Sequence, residues 1–207
     1  MIEKDNSVNI KDPKPKKPAK KRSYHHGELR GTVIATGMKL LEEREADDLG
    51  LREIAREIGV SATALYRHFP NKDALLSAIA MQGMEMLGQQ QVNLAAEAGG
   101  GEDGLVAMGQ TYVRFAVENP ALFRLCFRTA SSINVLDADI SEVGTAMGGL
   151  REGIAALMPD DMAEEDRKSA ALRAWSLVHG LASLILDGQI EYDEKIVNSV
   201  VAGSRIM

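Results

Sequence analysis

At 207 residues the chain is long enough for one or two domains with a sizeable core; 45% of it is hydrophobic and only 4% aromatic. Its continuous apolar runs fall far short of a membrane span, and the basic N-terminus runs into Tyr24 and His25 with no apolar stretch behind it. Neither a membrane partner nor a signal peptide is therefore expected. The single Cys126 excludes an internal disulfide and fits a reducing cytoplasm, while a formal net charge of −6 suits a polyanionic partner only if the charge is unevenly spread.

It is unevenly spread. Residues 1–23 hold eight Lys and Arg against three acids, a local charge of +5, which leaves −11 on the rest. Lys14, Lys16, Lys17, Lys20, Lys21 and Arg22, punctuated by Pro13, Pro15 and Pro18, cannot bury a core. The segment is expected to be a disordered basic tail, either an arm attracted to phosphates or a solvated extension. Alanine, leucine, methionine and glutamate dominate the remainder of the chain, and no run alternates apolar with polar for long, so the predicted fold is all-α.

The first helix opens around Tyr24 to Arg30, with Leu29, Val33, Met38 and Leu41 as inward candidates. Its adjacent His25 and His26 have no further ligand at metal-binding spacing, so no metal or cofactor is expected. In Leu51–Ile58 the residues Leu51, Ile54, Ala55 and Ile58 recur at the three-and-four spacing of one buried face, leaving Arg52, Glu53, Arg56 and Glu57 outside. Gly59 can close that helix in the left-handed conformation, Val60 plugs the angle, and Ser61 caps a second, short helix. There Leu65 and Phe69 face inward, while Ala62, Thr63, Tyr66 and Arg67 are available outward. Pro70 stops it. This is the pattern of a helix-turn-helix that reads a major groove with the first residues of its second helix. Asn71 then caps a long helix reaching about Gln90, and Lys72 lies in its first turn, where backbone N–H groups favour a phosphate.

Gly99-Gly100-Gly101 makes a loop without the Lys-Ser or Lys-Thr of a phosphate cradle. Further helices are predicted over 105–118, 120–128, 140–157, 163–186 and 193–204, with Pro120 at a first helical position where its missing N–H is not needed. In the long helix at 163–186, Leu172, Trp175, His179, Ala182 and Leu186 make one apolar stripe, and Ala171, Ala174, Val178, Leu181 and Ile185 another. Two faces need two partners, the chain's own core and a second subunit, and the second stripe is the expected subunit seam, with the Trp175 stripe as its alternative. The closing helix adds Ile196, Val197 and Val200 to that interface. Phe115, Phe123, Cys126, Phe127, Met147 and Trp175 are the bulky, soft groups expected around an apolar small molecule. His179 reads either as a satisfied core group or as a ligand contact.

The run LREIAREIGVSATALYRHFPNK resembles the signature of the TetR family of bacterial transcriptional regulators, which passes from Leu-Arg-x-Ile-Ala through Gly-Val-Ser to Leu-Tyr-x-His-Phe-x-x-Lys. The resemblance implies a DNA-binding set of Arg52, Ser61, Ala62, Thr63, Ala64, Tyr66, Arg67, His68 and Lys72, with His68 and Lys72 on phosphate. It departs at Gly50, where a Ser or Thr usually caps the first helix; the glycine is weaker by roughly a few tenths of a kcal/mol. Tyr112-Val113-Arg114-Phe115, Asn119-Pro120-x-Leu122-Phe123 and Trp175-x-x-x-His179-Gly180 resemble the Trp-His-Gly type of C-terminal domain. That likeness implies nine helices, a homodimer joined by the last two, and an effector pocket in each body.

The organisation expected is therefore a basic tail over 1–23, a three-helix DNA-binding domain over 24–75, and a helical dimerisation and effector-binding domain over 76–207. The function expected is a cytoplasmic, ligand-responsive repressor released from a palindromic double-stranded operator by a small-molecule effector. The alternative is a helical architectural or adaptor protein without effector control. No pairing of Cys126 or His179 with a catalytic partner occurs, so no enzyme and no catalytic residue is expected.

Overall fold

The computed structural model describes residues 26–128, 134–139 and 143–203. Every regular element among them is helical: α1 (His26–Leu40), α2 (Leu51–Glu57), α3 (Ala62–Tyr66), α4 (Lys72–Glu97), α5 (Gly101–Glu118), α6 (Pro120–Arg128), α7 (Gly144–Leu157), α8 (Glu164–Leu186) and α9 (Glu194–Gly203). A single 3-10 turn at Ala46–Asp48, which the sequence pattern did not announce, joins α1 to α2. The basic tail and Tyr24 and His25 lie outside the described residues.

The first three helices form the head. Val33 of α1, Ile54 of α2, and Leu65 with Phe69 on and just after α3 are fully buried, and they meet Leu75 and Ile79 of α4 in one core. Burying a side chain of that size stabilises by roughly 1.5–3 kcal/mol, so these few residues hold three short helices that would not be stable alone. Arg30 adds its guanidinium over the Phe69 ring, 5.6 Å from the centroid.

α4 belongs to both halves, and its 26 residues span about 39 Å. It starts where expected, with Asn71 Oδ1 accepting from the Ala74 N–H at 2.8 Å. It runs past the predicted end at Gln90 to Glu97, because nothing between Gln91 and Ala98 breaks a helix. Beyond the head it packs on α5, α6 and α7, and the buried core passes without interruption from Ile79 through Leu87 to Val113, Phe115 and Leu125. Gly88 is what lets α7 come so close: a Cβ there would sit 2.5 Å from the Ala146 backbone nitrogen. α5 starts four residues before its predicted position, at Gly101, with Glu102 and Asp103 complementing the positive end of its dipole.

α8 packs on α5, α7 and α9 and revises the expected subunit seam. The most apolar 18 of its 23 residues have a mean hydropathy of 1.3, enough by length and composition alone to cross a membrane, although no continuous apolar run within it is that long. Three acids in its first turn, Arg173 in the middle, and Ala170, Ala171, Val178, Leu181 and Ala182 buried against the body mark it as a helix of this fold. Of the expected seam, Ala171, Val178 and Leu181 are therefore directed inward, while Ala174 and Ile185 are half-buried. Val178 Cγ1 lies 3.2 Å from where a Cβ on Gly109 would be, so α5 already occupies that face. The alternative stripe is covered in part: Ala182 is fully buried and Trp175, His179 and Leu186 are half-buried, while Leu172 is exposed. The open face starts at that stripe's Leu172 and runs through Ser176 to Leu184, with half-buried Gly180 between them and Ile196 and Val200 of α9 exposed as well.

Candidate DNA-reading surface and ligand cavity

The head's turn is built by its backbone. Gly59 has a φ of +73°, open to glycine at little cost, and the chain closes α2 with the Gly59 N–H on the Arg56 carbonyl (3.2 Å) and the Val60 N–H on the Ala55 carbonyl (2.9 Å). Ser61 Oγ then accepts from the Ala64 N–H at 3.2 Å and starts α3. With Leu65 and Phe69 anchored below, Thr63, Tyr66 and Arg67 stand exposed on the short helix. Tyr66 is 44% exposed, a large amphipathic ring with no intramolecular reason to face water.

The nine residues singled out as DNA contacts do not share one environment. Arg52, Ser61, Thr63, Tyr66 and Arg67 are exposed. Ala62 and Ala64 are half-buried and pack on the head's core, which makes them spacers more than readers. His68 is half-buried, as is Lys72, whose ammonium donates to the Asp47 carbonyl of the 3-10 turn. Ser61 already uses its oxygen as a cap.

That 3-10 turn is a junction the sequence did not reveal. From α6, Arg128 pairs with Asp47 at 3.0 Å and Arg124 with Glu45 at 3.2 Å, while Arg124 Nη2 also donates to the Leu186 carbonyl at the end of α8. The partners lie roughly sixty to eighty residues apart in the chain, and no local pattern signals such a pairing. These exposed pairs are worth little individually, about 0–1 kcal/mol each. Their position between body and head is what distinguishes them.

Inside the body, α4 to α8, with Arg30 and Ile34 of α1 and Val201 of α9, line a partly open cavity of about 890 Å³. Met84, Leu105, Met108, Phe127, Met147 and Trp175 make much of its wall. Of the seven residues expected around a ligand, Cys126, Phe127, Met147 and Trp175 line it. Phe115 and Phe123 do not, because their rings are spent in the core between α5 and α6, and Phe123 meets Tyr112 edge-on at 5.5 Å. His179 does not either: it stands behind Tyr112, with its Nδ1 2.8 Å from the Tyr112 hydroxyl and its ring among Phe123, Phe127 and Trp175.

An indole N–H can only donate, so Trp175 Nε1 gives to the Tyr112 oxygen at 3.4 Å. The phenol proton is then available to His179 Nδ1, 2.8 Å away, which accepts it in the neutral tautomer protonated on Nε2. Burial lowers the His179 pKa and raises that of the Tyr112 phenol, both favouring neutral forms, and pushes the Cys126 thiol up to about 12. Cys126 Sγ points at the Ala80 carbonyl, 3.4 Å away. It is not an activated nucleophile, and no group of three or more His, Cys, Asp or Glu among the described residues is placed to hold a metal.

Among the cavity residues that sequence reasoning missed is a buried amide, Gln91. It is buried on α4 and lines the cavity, with Nε2 donating to the Met108 carbonyl at 3.0 Å and Oε1 without a partner. It lies one residue beyond the predicted end of the helix, in a polar run that carries no signal of burial.

Two family models match the chain. One, described as bacterial regulatory proteins of the tetR family, covers residues 33–79, and the other, described as a tetracyclin repressor-like C-terminal domain, covers residues 105–201. An HTH-type transcriptional regulator of Mycobacterium tuberculosis is 28% identical over 167 residues, 79% of this chain and 78% of the relative. Among solved structures, a protein of unknown function from Rhodococcus sp. RHA1 superposes with a TM-score of 0.69 at 27% identity, over 89% of this chain and 96% of its own. A TetR variant from Acinetobacter baumannii, solved with minocycline, shares the fold with a TM-score of 0.56 at 20% identity, over 84% and 94%. Head and body are thus each matched in the order in which the structure builds them, and the protein is a DNA-binding transcriptional regulator of the TetR family.

Proposed function

We propose that the protein is a ligand-responsive repressor acting in the cytoplasm, which binds a palindromic operator as a homodimer and leaves it when a small molecule enters the body. The observation that carries this reading is the apolar cavity, whose wall includes α4 and α6, the two helices that also touch the head. An occupant that fits better with these helices displaced must weaken DNA binding by the same factor by which DNA weakens the occupant. Minocycline in a regulator of the same fold supports the use of the body as a ligand chamber. The finer likeness to the Trp-His-Gly type of body belongs to the same proposal and rests on Trp175, His179 and Gly180.

In this reading residues 24–75 form the DNA-binding domain and 76–207 the dimerisation and effector domain, with α4 as the shared lever. Thr63, Tyr66 and Arg67 read bases from α3; Arg52, Ser61 and His68 contact the backbone nearby; Ala62 and Ala64 permit close approach. Lys72 exchanges the Asp47 carbonyl for a phosphate. The test is protection of the DNA upstream of the protein's own gene, by wild type and by a Tyr66→Ala, Arg67→Ala double variant of unchanged thermal stability. Wild type is expected to protect an inverted repeat with half-sites about 34 Å apart, and the variant to lose roughly 1–3 kcal/mol or more. Uniform protection of any sequence, or equal affinity of the two proteins, would refute it.

A further inference from the structure

Resting on the reading of the cavity as the ligand chamber, we infer that its ligand is an uncharged, largely hydrocarbon molecule carrying one hydrogen-bond donor, a hydroxyl or amide N–H, which meets Gln91 Oε1. Three observations lead there. The cavity is about 890 Å³ and its wall is chiefly aliphatic, aromatic and thioether, so most of an occupant must be apolar. Three charged side chains border it: Arg30 and Glu85 are exposed to water, with Glu85 already accepting from Thr145 Oγ1 at 2.6 Å, and Glu102 is half-buried in the first turn of α5, where the positive end of the helix dipole already favours its charge, so none is a buried, unengaged counter-ion. A charge carried inside would go uncompensated.

The third observation selects the polar group. Among the described residues, the only buried side-chain polar atoms without a hydrogen-bond partner are Gln91 Oε1 and Arg167 Nε, and only Gln91 belongs to the cavity. Its amide orientation is not arbitrary. The neighbouring Met108 carbonyl can only accept, so the NH2 must face it and the oxygen must be the orphan. An orphan acceptor 6% exposed on a cavity wall asks for a donor. Of the other polar atoms along the wall, the Tyr112 oxygen lies between Trp175 and His179, Cys126 Sγ is on the Ala80 carbonyl, Thr145 Oγ1 is on Glu85, and Ser77 and Gln82 are exposed to water.

Trp175 is the only tryptophan of the chain and lines the cavity, so its fluorescence reports occupancy without DNA. The experiment titrates four ten-carbon probes into the full-length protein at neutral pH: 1-decanol, its isomer methyl nonyl ether, decanoate and decylammonium. Expected is tightest binding of 1-decanol, with the ether about three- to tenfold weaker because it cannot donate. Decanoate is expected to bind only as its neutral acid, gaining about tenfold for each unit of acidification. In Gln91→Leu the gap between alcohol and ether should close; in wild type it should be present whether or not that variant folds. Equal binding of alcohol and ether in wild type, tighter binding of either ion than of the alcohol, or no response to any of the four would overturn the assignment. Operator release is measured separately. Binding in the expected order without release of DNA supports the ligand class and counts against the repressor reading alone.

Discussion

His179 shows how burial sets a residue's chemistry where the sequence leaves two readings open. It is held by Tyr112 and ringed by Phe123, Phe127 and Trp175, and no carboxylate is among these neighbours to stabilise its charged form. Its pKa is accordingly lowered from 6.5 by desolvation. Below pH 6.5 the unfolded chain takes up the proton before the folded one, so stability declines as pH falls through that value and levels off below the folded pKa. Tyr112 acts at the other end: its raised pKa means that above about pH 10 the unfolded phenol loses its proton first, and stability falls again. Wild type should therefore show an acid-side decrease in Tm that His179→Gln lacks, and an NMR titration should place His179 below an exposed histidine. A His179 that titrates at or above 6.5 would contradict the tautomer chain drawn from Trp175.

At the scale of helices, α8 decides how two copies can meet. Periodicity in the sequence marks apolar stripes, but a helix has several faces, and which of them the chain covers depends on where α5, α7 and α9 land. The structure turns Ala171, Val178 and Leu181 inward and leaves Leu172 and Leu184, 44% and 47% exposed, with Ile196 at 50% on α9. Ser176 and Gly180 lie between the two leucines, and Gly180 has open space where a Cβ would be, which suits close approach of a partner helix. A charge at Val178 should therefore disrupt the body's own packing, lowering Tm by several degrees. Leu184→Asp should leave Tm of the isolated subunit nearly unchanged and shift sedimentation from dimer to monomer, with loss of operator binding. A Leu184→Asp protein that sediments as a dimer and binds DNA normally would place the seam elsewhere. The head's helices were far more legible, because Gly59, Ser61, Pro70 and Asn71 each act on the backbone within a few residues. The end of α4 and the start of α5 were less so, since no capping side chain marks either and packing extends both.

For the whole molecule, charge distribution and connectivity matter more than any one contact. The +5 of residues 1–23 precedes the head directly in sequence, while the remainder carries −11. Deleting residues 1–22 should therefore flatten the dependence of operator affinity on salt by about one unit or more in the slope of log K against log salt. Measuring binding across a salt series checks this, and an unchanged slope would mean that the tail's cations do not meet phosphate. Head and body share one core through α4 and are tied again by Arg124 and Arg128 to the 3-10 turn, so the two halves are joined at two places. The amino-acid sequence determined unaided whatever depends on neighbours in the chain: the all-α class, the cap–turn–cap geometry of the head, the break at Asn119-Pro120, and the separation of charge. Whatever depends on residues tens of positions apart was settled only by tertiary packing. That includes the face of α8 left open, the cavity wall that takes in Cys126, Phe127, Met147 and Trp175 but not Phe115, Phe123 or His179, the latch on the 3-10 turn, and the orphan oxygen of Gln91. The physical reason is that capping and helix periodicity act within one or two turns of backbone, whereas burial is a property of the space that distant helices jointly enclose.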